Sequence, residues 1–224
     1  DPNGVVALKP KGITRPEDLV GKEILFLSPQ AVWDLFLHIN HIDPNDVTIV
    51  TPPDGGLSEN IMPFITGQVD AIVGPVYEFA KPLTAFDLEH DTIVFYDYGL
   101  QIYPNVVFTT QQFIEERPDV VQHFVNAMLR GLHYAVEQPK ATAEWFVEHY
   151  DEFLLPEMLA FQDETMAAIV PLIDIGTSEI GMMEADVWQQ VHEGMVELGL
   201  LDISTAPGDA YTLEFLNAYY RVNP

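Results

Sequence analysis

The chain has 224 residues, 48% of them hydrophobic, with 35 acidic against 9 basic side chains for a formal charge of −26. A chain of this size and apolarity can bury a sizeable core as one large domain or two small lobes, and so negative a surface argues against nucleic acid, which needs clustered Lys and Arg. With no cysteine, structural disulfides, thiolate metal sites and cysteine nucleophiles are excluded as well.

The acids are spread through the chain rather than gathered in one block, which reads as a heavily solvated surface of the kind that suits high salt. Lys9, Lys11, Arg15 and Lys22 form the one local basic group. No apolar run approaches the roughly 20 residues that span a bilayer. The chain opens on Asp1-Pro2-Asn3-Gly4 rather than on a basic and apolar leader, so any export signal is expected either to have been removed or to lie outside this sequence.

In chain order, the first half alternates in type. Val5–Leu8, Glu23–Leu27, Val47–Thr51, Ala71–Val73, Thr92–Tyr96 and Val106–Thr109 are short aliphatic, β-branched or aromatic runs that predict strands. Between them, Ala31–Ile39, Glu59–Thr66 and Tyr77–Ala85 have helical apolar spacing. Ser28-Pro29 and Ser58-Glu59 supply start signals, while Pro63 and Pro82 fall inside their helices and are expected to kink or shorten them. This βαβ pattern favours a largely parallel, buried sheet.

From Gln111 the character changes to helices at Gln111–Glu116, Asp119–Glu137, Lys140–Tyr150, Pro156–Val170, Glu184–Leu198 and Thr212–Tyr220. Loops rich in Gly, Ser, Thr and Pro at Pro171–Met182 and Asp202–Ala210 separate the last ones. Trp33, Trp145 and Trp188 sit among apolar neighbours in helical segments and read as core. The stripe Phe124, Met128, Leu132, Ala135 must bury itself against something, yet the second half supplies no sheet to receive it.

Several phrases, weak singly, recur in a recognisable order. They are Gly4-Val-Val-Ala-Leu-Lys9 with Pro16-Glu-Asp-Leu-Val-Gly-Lys22; Gly67-Gln-Val-Asp-Ala71; Tyr98 to Thr110; Pro118 to Gly131; and Ile180-Gly-Met-Met183 with Trp188, Gly199-Leu200 and Tyr211 to Leu216. Together they resemble the thiamine-precursor and aliphatic-sulfonate binding family of ABC-transporter periplasmic substrate-binding proteins, which have the type II periplasmic binding fold. The resemblance runs along nearly the whole chain but lacks the opening segment of the family's first lobe.

The resemblance implies an α/β fold with one largely complete lobe, residues 1–108, and a helical C-terminal part of the other lobe, residues 109–224. The rest of that lobe would come from a further N-terminal segment or a second chain. It implies a small-molecule ligand held by hinge closure, an ABC transporter permease as partner, and a periplasmic or other extracytoplasmic place, secreted or lipid-anchored. No cofactor, metal or catalytic residue is implied.

Ligands of open α/β sheets sit beyond the carboxyl ends of the strands, so the loops Ser28–Gln30, Thr51–Gly56, Gly74–Glu78 and Tyr96–Tyr98 are the places to look. Ser28 is either an ordinary N-cap or a ligand contact at a helix N-terminus, and Gln30, which capping does not require, is the better candidate. Tyr77 with Glu78 would suit a flat heterocycle bearing an amine, such as a thiamine-pyrimidine precursor or a riboflavin-like compound; equally, they can be a core-lining Tyr and a surface Glu. Tyr98, Tyr103 and Asn105 cluster around the return crossover, Tyr98 and Asn105 being favoured.

Other chemistry finds less support. His38 and His41 lack a third ligand at metal spacing, and neither a nucleophile elbow nor a P-loop motif occurs. Two alternatives share the fold: an iron-dependent thiamine-pyrimidine synthase-like enzyme, which the absence of cysteine opposes, and a ligand-sensing domain of a regulatory protein.

Overall fold

The computed structural model describes residues 3–52, 57–85, 87–103, 105–150, 156–173, 176, 179–202, 204 and 206–223. Its strands are β1 (Asn3–Leu8), β2 (Glu23–Phe26), β3 (Thr48–Val50), β4 (Ala71–Pro75) and β5 (His90–Val94). Its α-helices are α1 (Gln30–Ile39), α2 (Leu57–Ile65), α3 (Val76–Ala85), α4 (Gln111–Glu116), α5 (Pro118–Glu137), α6 (Pro139–Tyr150), α7 (Pro156–Ile173), α8 (Ala185–Glu197) and α9 (Glu214–Val222). The chain divides into two units, Asp1–Pro104 with Ala185–Pro207, and Asn105–Glu184 with Gly208–Pro224. Where the sequence reading sets one boundary at 108/109, the contacts therefore group residues 185–207 with the first unit.

The first unit is built on a five-stranded sheet ordered β3-β2-β4-β1-β5. β2 runs parallel to β3 and β4, while β1 is antiparallel to both β4 and β5. Four strands thus share one direction and β1 alone is reversed. Successive residues alternate between two buried faces. Val5, Ala7, Ile24 and Val73 pack with Trp33, Phe36 and Phe95 on the face that α1 covers. Val6, Leu25 and Ile72 pack with Phe64, Phe79 and Leu83 of α2 and α3 on the other. Two covered faces explain why these strands read as continuous apolar runs.

Glycine sets the spacing at two points. A Cβ on Gly4 would stand 2.3 Å from the Ile93 carbonyl oxygen, and one on Gly74 would stand 2.8 Å from that of Leu27 and from the Phe79 ring. α2 runs through Pro63, with the Gln68 N–H donating to the Pro63 carbonyl just past its end. The proline thus sits in the last turn, where its missing N–H omits one helical bond close to the helix end. α8 returns to the α1 face: Val191 and Met195 pack against the first core, and His38 Nε2 lies 2.8 Å from Glu197 Oε2.

The phrases that carried the resemblance are joints. Asp18 accepts the backbone N–H groups of Thr14 (3.0 Å) and Arg15 (3.2 Å), with Thr14 Oγ1 at 3.2 Å. Gly21, at φ +75°, lets its N–H donate to the Asp46 carbonyl. Asp70 accepts the Glu23 N–H at 3.0 Å and the Lys11 ammonium at 2.9 Å. The Glu23 N–H holds the Asp70 carboxyl below its ordinary range against the opposing effect of burial, with Lys11 reinforcing. Asp70 thereby ties the start of β4 to the start of β2.

The second unit is helical. Thr110 caps α4, its hydroxyl accepting the Phe113 N–H at 3.1 Å. Leu129, Ile180, Leu216 and Tyr219 form its buried cluster, braced by Gln122 Nε2 donating to the Phe215 carbonyl and Tyr220 Oη donating to that of Ile180.

Three expectations change in this unit. Residues 106–109 form no strand, because a strand needs a ladder partner and none occurs among the described residues; Phe108 is 90% exposed. Trp145 is not core. α6 buries Ala143 and Val147, and a residue two positions from either points away from that face, so Trp145 is 51% exposed and stacks on His149. α7 continues through Pro171 to Ile173, past the expected end. In the stripe on α5, Phe124 is 56% exposed and Met128, Leu132 and Ala135 are only partly buried.

Candidate functional site

The loops after β2 and β4 leave neighbouring strands at the same edge of the sheet. The register pairs Phe26 with Val73, and the Leu27 N–H donates to the Val73 carbonyl at 2.9 Å. This carries the ladder one residue past β2 and sets Ser28 beside the end of β4, about 4.8 Å away across the strands. α1 and α3 both begin here, and their first-turn N–H groups lack intrahelical partners.

Ser28 is not a capping residue. Pro29 occupies the N-cap of α1 and makes no side-chain capping bond. The Ser28 hydroxyl oxygen is buried without a hydrogen-bond partner among the described residues. Gln30 is the first residue of α1, and its Nε2 donates to Asp34 Oδ1 at 2.7 Å. Tyr77 and Glu78 fall in the first turn of α3, where the Tyr77 hydroxyl donates to Glu78 Oε1 at 3.4 Å. Burial, followed by the Glu78 charge and this hydrogen bond, pushes the Tyr77 hydroxyl above its ordinary range. A half-buried aromatic ring beside an exposed carboxylate can stack on a flat ligand and accept from its amine.

Asn3 is an addition that sequence reading missed. Its register partner is Pro75, so it stands at this edge, 8% exposed. The signal was available: a polar residue opening an otherwise apolar buried strand.

The remaining candidates lie elsewhere. A 3-10 turn at Phe95–Tyr98, closed by Gly99 at φ +92°, folds the chain back. The Tyr98 carbonyl accepts from Asn40 Nδ2, just past the last residue of α1, and its hydroxyl donates to the Thr14 carbonyl. α1 has ten residues, so Tyr98 is about 15 Å from the Ser28 edge. Tyr103 packs near Trp188 of α8 at 6.2 Å between ring centroids. Asn105 is exposed and belongs to the second unit. Residues 53–56 of the loop after β3 lie outside the described residues. Ser28, Gln30, Tyr77 and Glu78 thus follow neighbouring strand ends at one edge of the sheet, while Tyr98 stands by the far end of α1.

The basic group Lys9, Lys11, Arg15 and Lys22 lies at the end of β1 and the start of β2, which is the opposite edge, and there Lys9, Lys11 and Arg15 pair with Glu89, Asp70 and Asp18. Glu78 stands on the first turn of α3 at the candidate edge, and Asp34 one turn further into α1. No group of three or more His, Asp or Glu suited to a metal ion occurs among the described residues.

The formylaminopyrimidine-binding protein of Halalkalibacterium halodurans is 25% identical over 130 residues, 57% of this chain and 39% of that protein. The alkanesulfonate-binding protein SsuA of Xanthomonas axonopodis pv. citri, bound to MOPS, matches in structure with a TM-score of 0.63 at 14% identity, over 93% of this chain and 68% of the other. The periplasmic aliphatic sulphonate binding protein SsuA of Escherichia coli gives 0.61 at 14% identity, over 89% of this chain and 61% of the other. These structural matches show the type II periplasmic binding fold. The chain therefore spans well under half of its curated relative. The family described as NMT1/THI5 like matches residues 1–142, more than half of the chain, and on that match this chain belongs to the NMT1/THI5-like family.

Proposed function

We propose that the full-length protein carrying this chain is the extracytoplasmic solute-binding component of an ABC importer. Its ligand in this reading is a small flat heterocycle bearing an amine, such as a thiamine-pyrimidine precursor or a riboflavin-like compound. The single observation that carries it is the buried, unpartnered Ser28 hydroxyl at the foot of α1, beside the first turn of α3 with Tyr77 and Glu78. A buried hydroxyl without a partner costs about 1–3 kcal/mol, which a ligand hydrogen bond would offset. Tyr77 supplies the stacking face, Glu78 accepts from the amine, and Gln30 and the α1 N–H groups take a carbonyl or ring nitrogen. Asn3, Tyr98, Tyr103 and Asn105 take secondary places, the last three on the return path between lobes.

In this reading the lobes close around the ligand like a hinge, and a permease receives the loaded protein. The protein makes and breaks no covalent bond. The exposed Val106, Val107, Phe108 and Phe124 of the helical unit support a further segment, of the same protein or a second chain, that completes that lobe. The Glu78 carboxylate on the first turn of α3 favours an amine over a sulfonate, since like charges repel in a site shielded from water.

Thermal unfolding of the full-length protein with a formylaminopyrimidine, riboflavin and an alkanesulfonate tests the proposal. Saturation at about 100-fold over Kd adds about 2.7 kcal/mol of stability, and the heterocycle is expected to produce that shift with the sulfonate inert. A shift from the sulfonate alone would reverse the ligand assignment. No shift from any of the three would sink it.

A further inference from the structure

Between Lys140 and Arg221 lie eighty residues that include sixteen Asp and Glu and no Lys or Arg. An ordinary surface interleaves both signs, so salt weakens attractions and repulsions together. This one is repulsive over more than a third of its length, and self-repulsion of that kind opposes the compact state.

The structure shows helices of this chain holding acids with a neutral partner, Gln189 and Glu193 within this stretch and three pairs before it. Gln30 donates to Asp34 at 2.7 Å, Gln111 to Glu115 at 3.0 Å, Gln112 to Glu116 at 2.8 Å and Gln189 to Glu193 at 2.6 Å. Each is an i,i+4 pair, the spacing at which Lys commonly faces Glu, with a neutral amide in the cation's place. The geometry of the hydrogen bond is kept and the charge of the carboxylate is left standing. Asp202 likewise takes the backbone N–H of Ser204 at 2.9 Å, which holds its carboxyl ionised to below the ordinary range.

We propose that this chain is built for a concentrated-salt milieu, in which hydrated monovalent cations supply the counter-charge its sequence omits. The cations act as a diffuse layer over the helical surface, with no single site. The screening length falls from about 10 Å at 0.1 M to about 3 Å at 1 M, shorter than the about 6 Å between neighbouring side chains on a helix. Repulsion between successive acids is therefore removed only at molar salt.

The test is thermal unfolding of the full-length protein in KCl from about 0.1 to about 2 M, beside a variant combining Glu137→Gln, Glu144→Gln, Glu148→Gln and Glu179→Gln. All four side chains are exposed, and surface changes of this kind leave folding intact. The parent midpoint is expected to rise by about 10 °C, at about 2–4 °C per kcal/mol. The variant is expected to start higher at low salt and to gain less. A flat or falling parent midpoint would overturn the proposal. So would an equal gain in parent and variant, which would assign the salt effect to strengthened apolar burial.

Discussion

The α/β unit and the helical unit have similar apolar content but use it differently. In the first, both faces of the sheet are covered and Trp33, Phe36 and Leu37 are sealed. In the second, the buried cluster is four residues, while Phe108, Phe124 and Trp145 stay in water. The difference teaches that an amphipathic pattern reports a demand for burial and not its fulfilment. The sheet meets that demand within the chain; the helices meet it in part.

The largest expected break in this contrast is Trp33→Ala. Trp33 contacts Phe26, Phe36 and Phe95, so the loss should be about 3–5 kcal/mol, read by denaturant unfolding. Phe124→Ala, the same kind of truncation in the helical unit, should stay within about 0.5 kcal/mol. Equal losses would mean that the helical face is covered after all.

Asp70→Asn should cost about 1–3 kcal/mol by weakening the tie to the Glu23 N–H and Lys11. Because the folded carboxyl is held below its unfolded value, that contribution is complete above about pH 4 and is lost as pH falls through the folded value. The gap between wild type and variant should therefore be constant near neutrality and close under acid. A gap that widened under acid would contradict the assignment.

Smallest in stability is Glu78→Gln, expected within about 0.5 kcal/mol, since Glu78 is exposed. Under the proposed function it should weaken binding of an amine-bearing heterocycle by about tenfold, the worth of about 1.4 kcal/mol, as measured by calorimetry. Unchanged affinity would remove Glu78 from the site.

Much of the fold was legible because its signals are local. The β1, β2 and β4 runs and the periodicity of α1 and α5 survive as read, to within a few residues at their ends. Residues 106–109 misled because β-branched content states a preference, whereas a strand also needs a neighbour that sequence windows do not contain. Trp145 misled because apolar neighbours in sequence lie on different faces of a helix. At the candidate edge, the rule that ligands sit beyond strand ends made Ser28, Gln30, Tyr77 and Glu78 candidates, and their position just beyond β2 and β4 was legible from the strand runs. Tyr98 was not, because the 3-10 turn before Gly99 reverses the path, and reversals of three or four residues leave only a glycine as their trace.

The reversed strand β1 carries a consequence for how the protein is made. It is synthesised before β4 and β5, yet it pairs with both, across 64 to 90 residues of sequence. At about 5–20 residues per second, the nascent β1 waits on the order of ten seconds for its neighbours, an apolar ribbon with both edges unpaired. Long-range pairing of this kind also slows the search for the native state. The strand that waits longest for its partners thus ends up buried in the middle of the pairing, between β4 and β5.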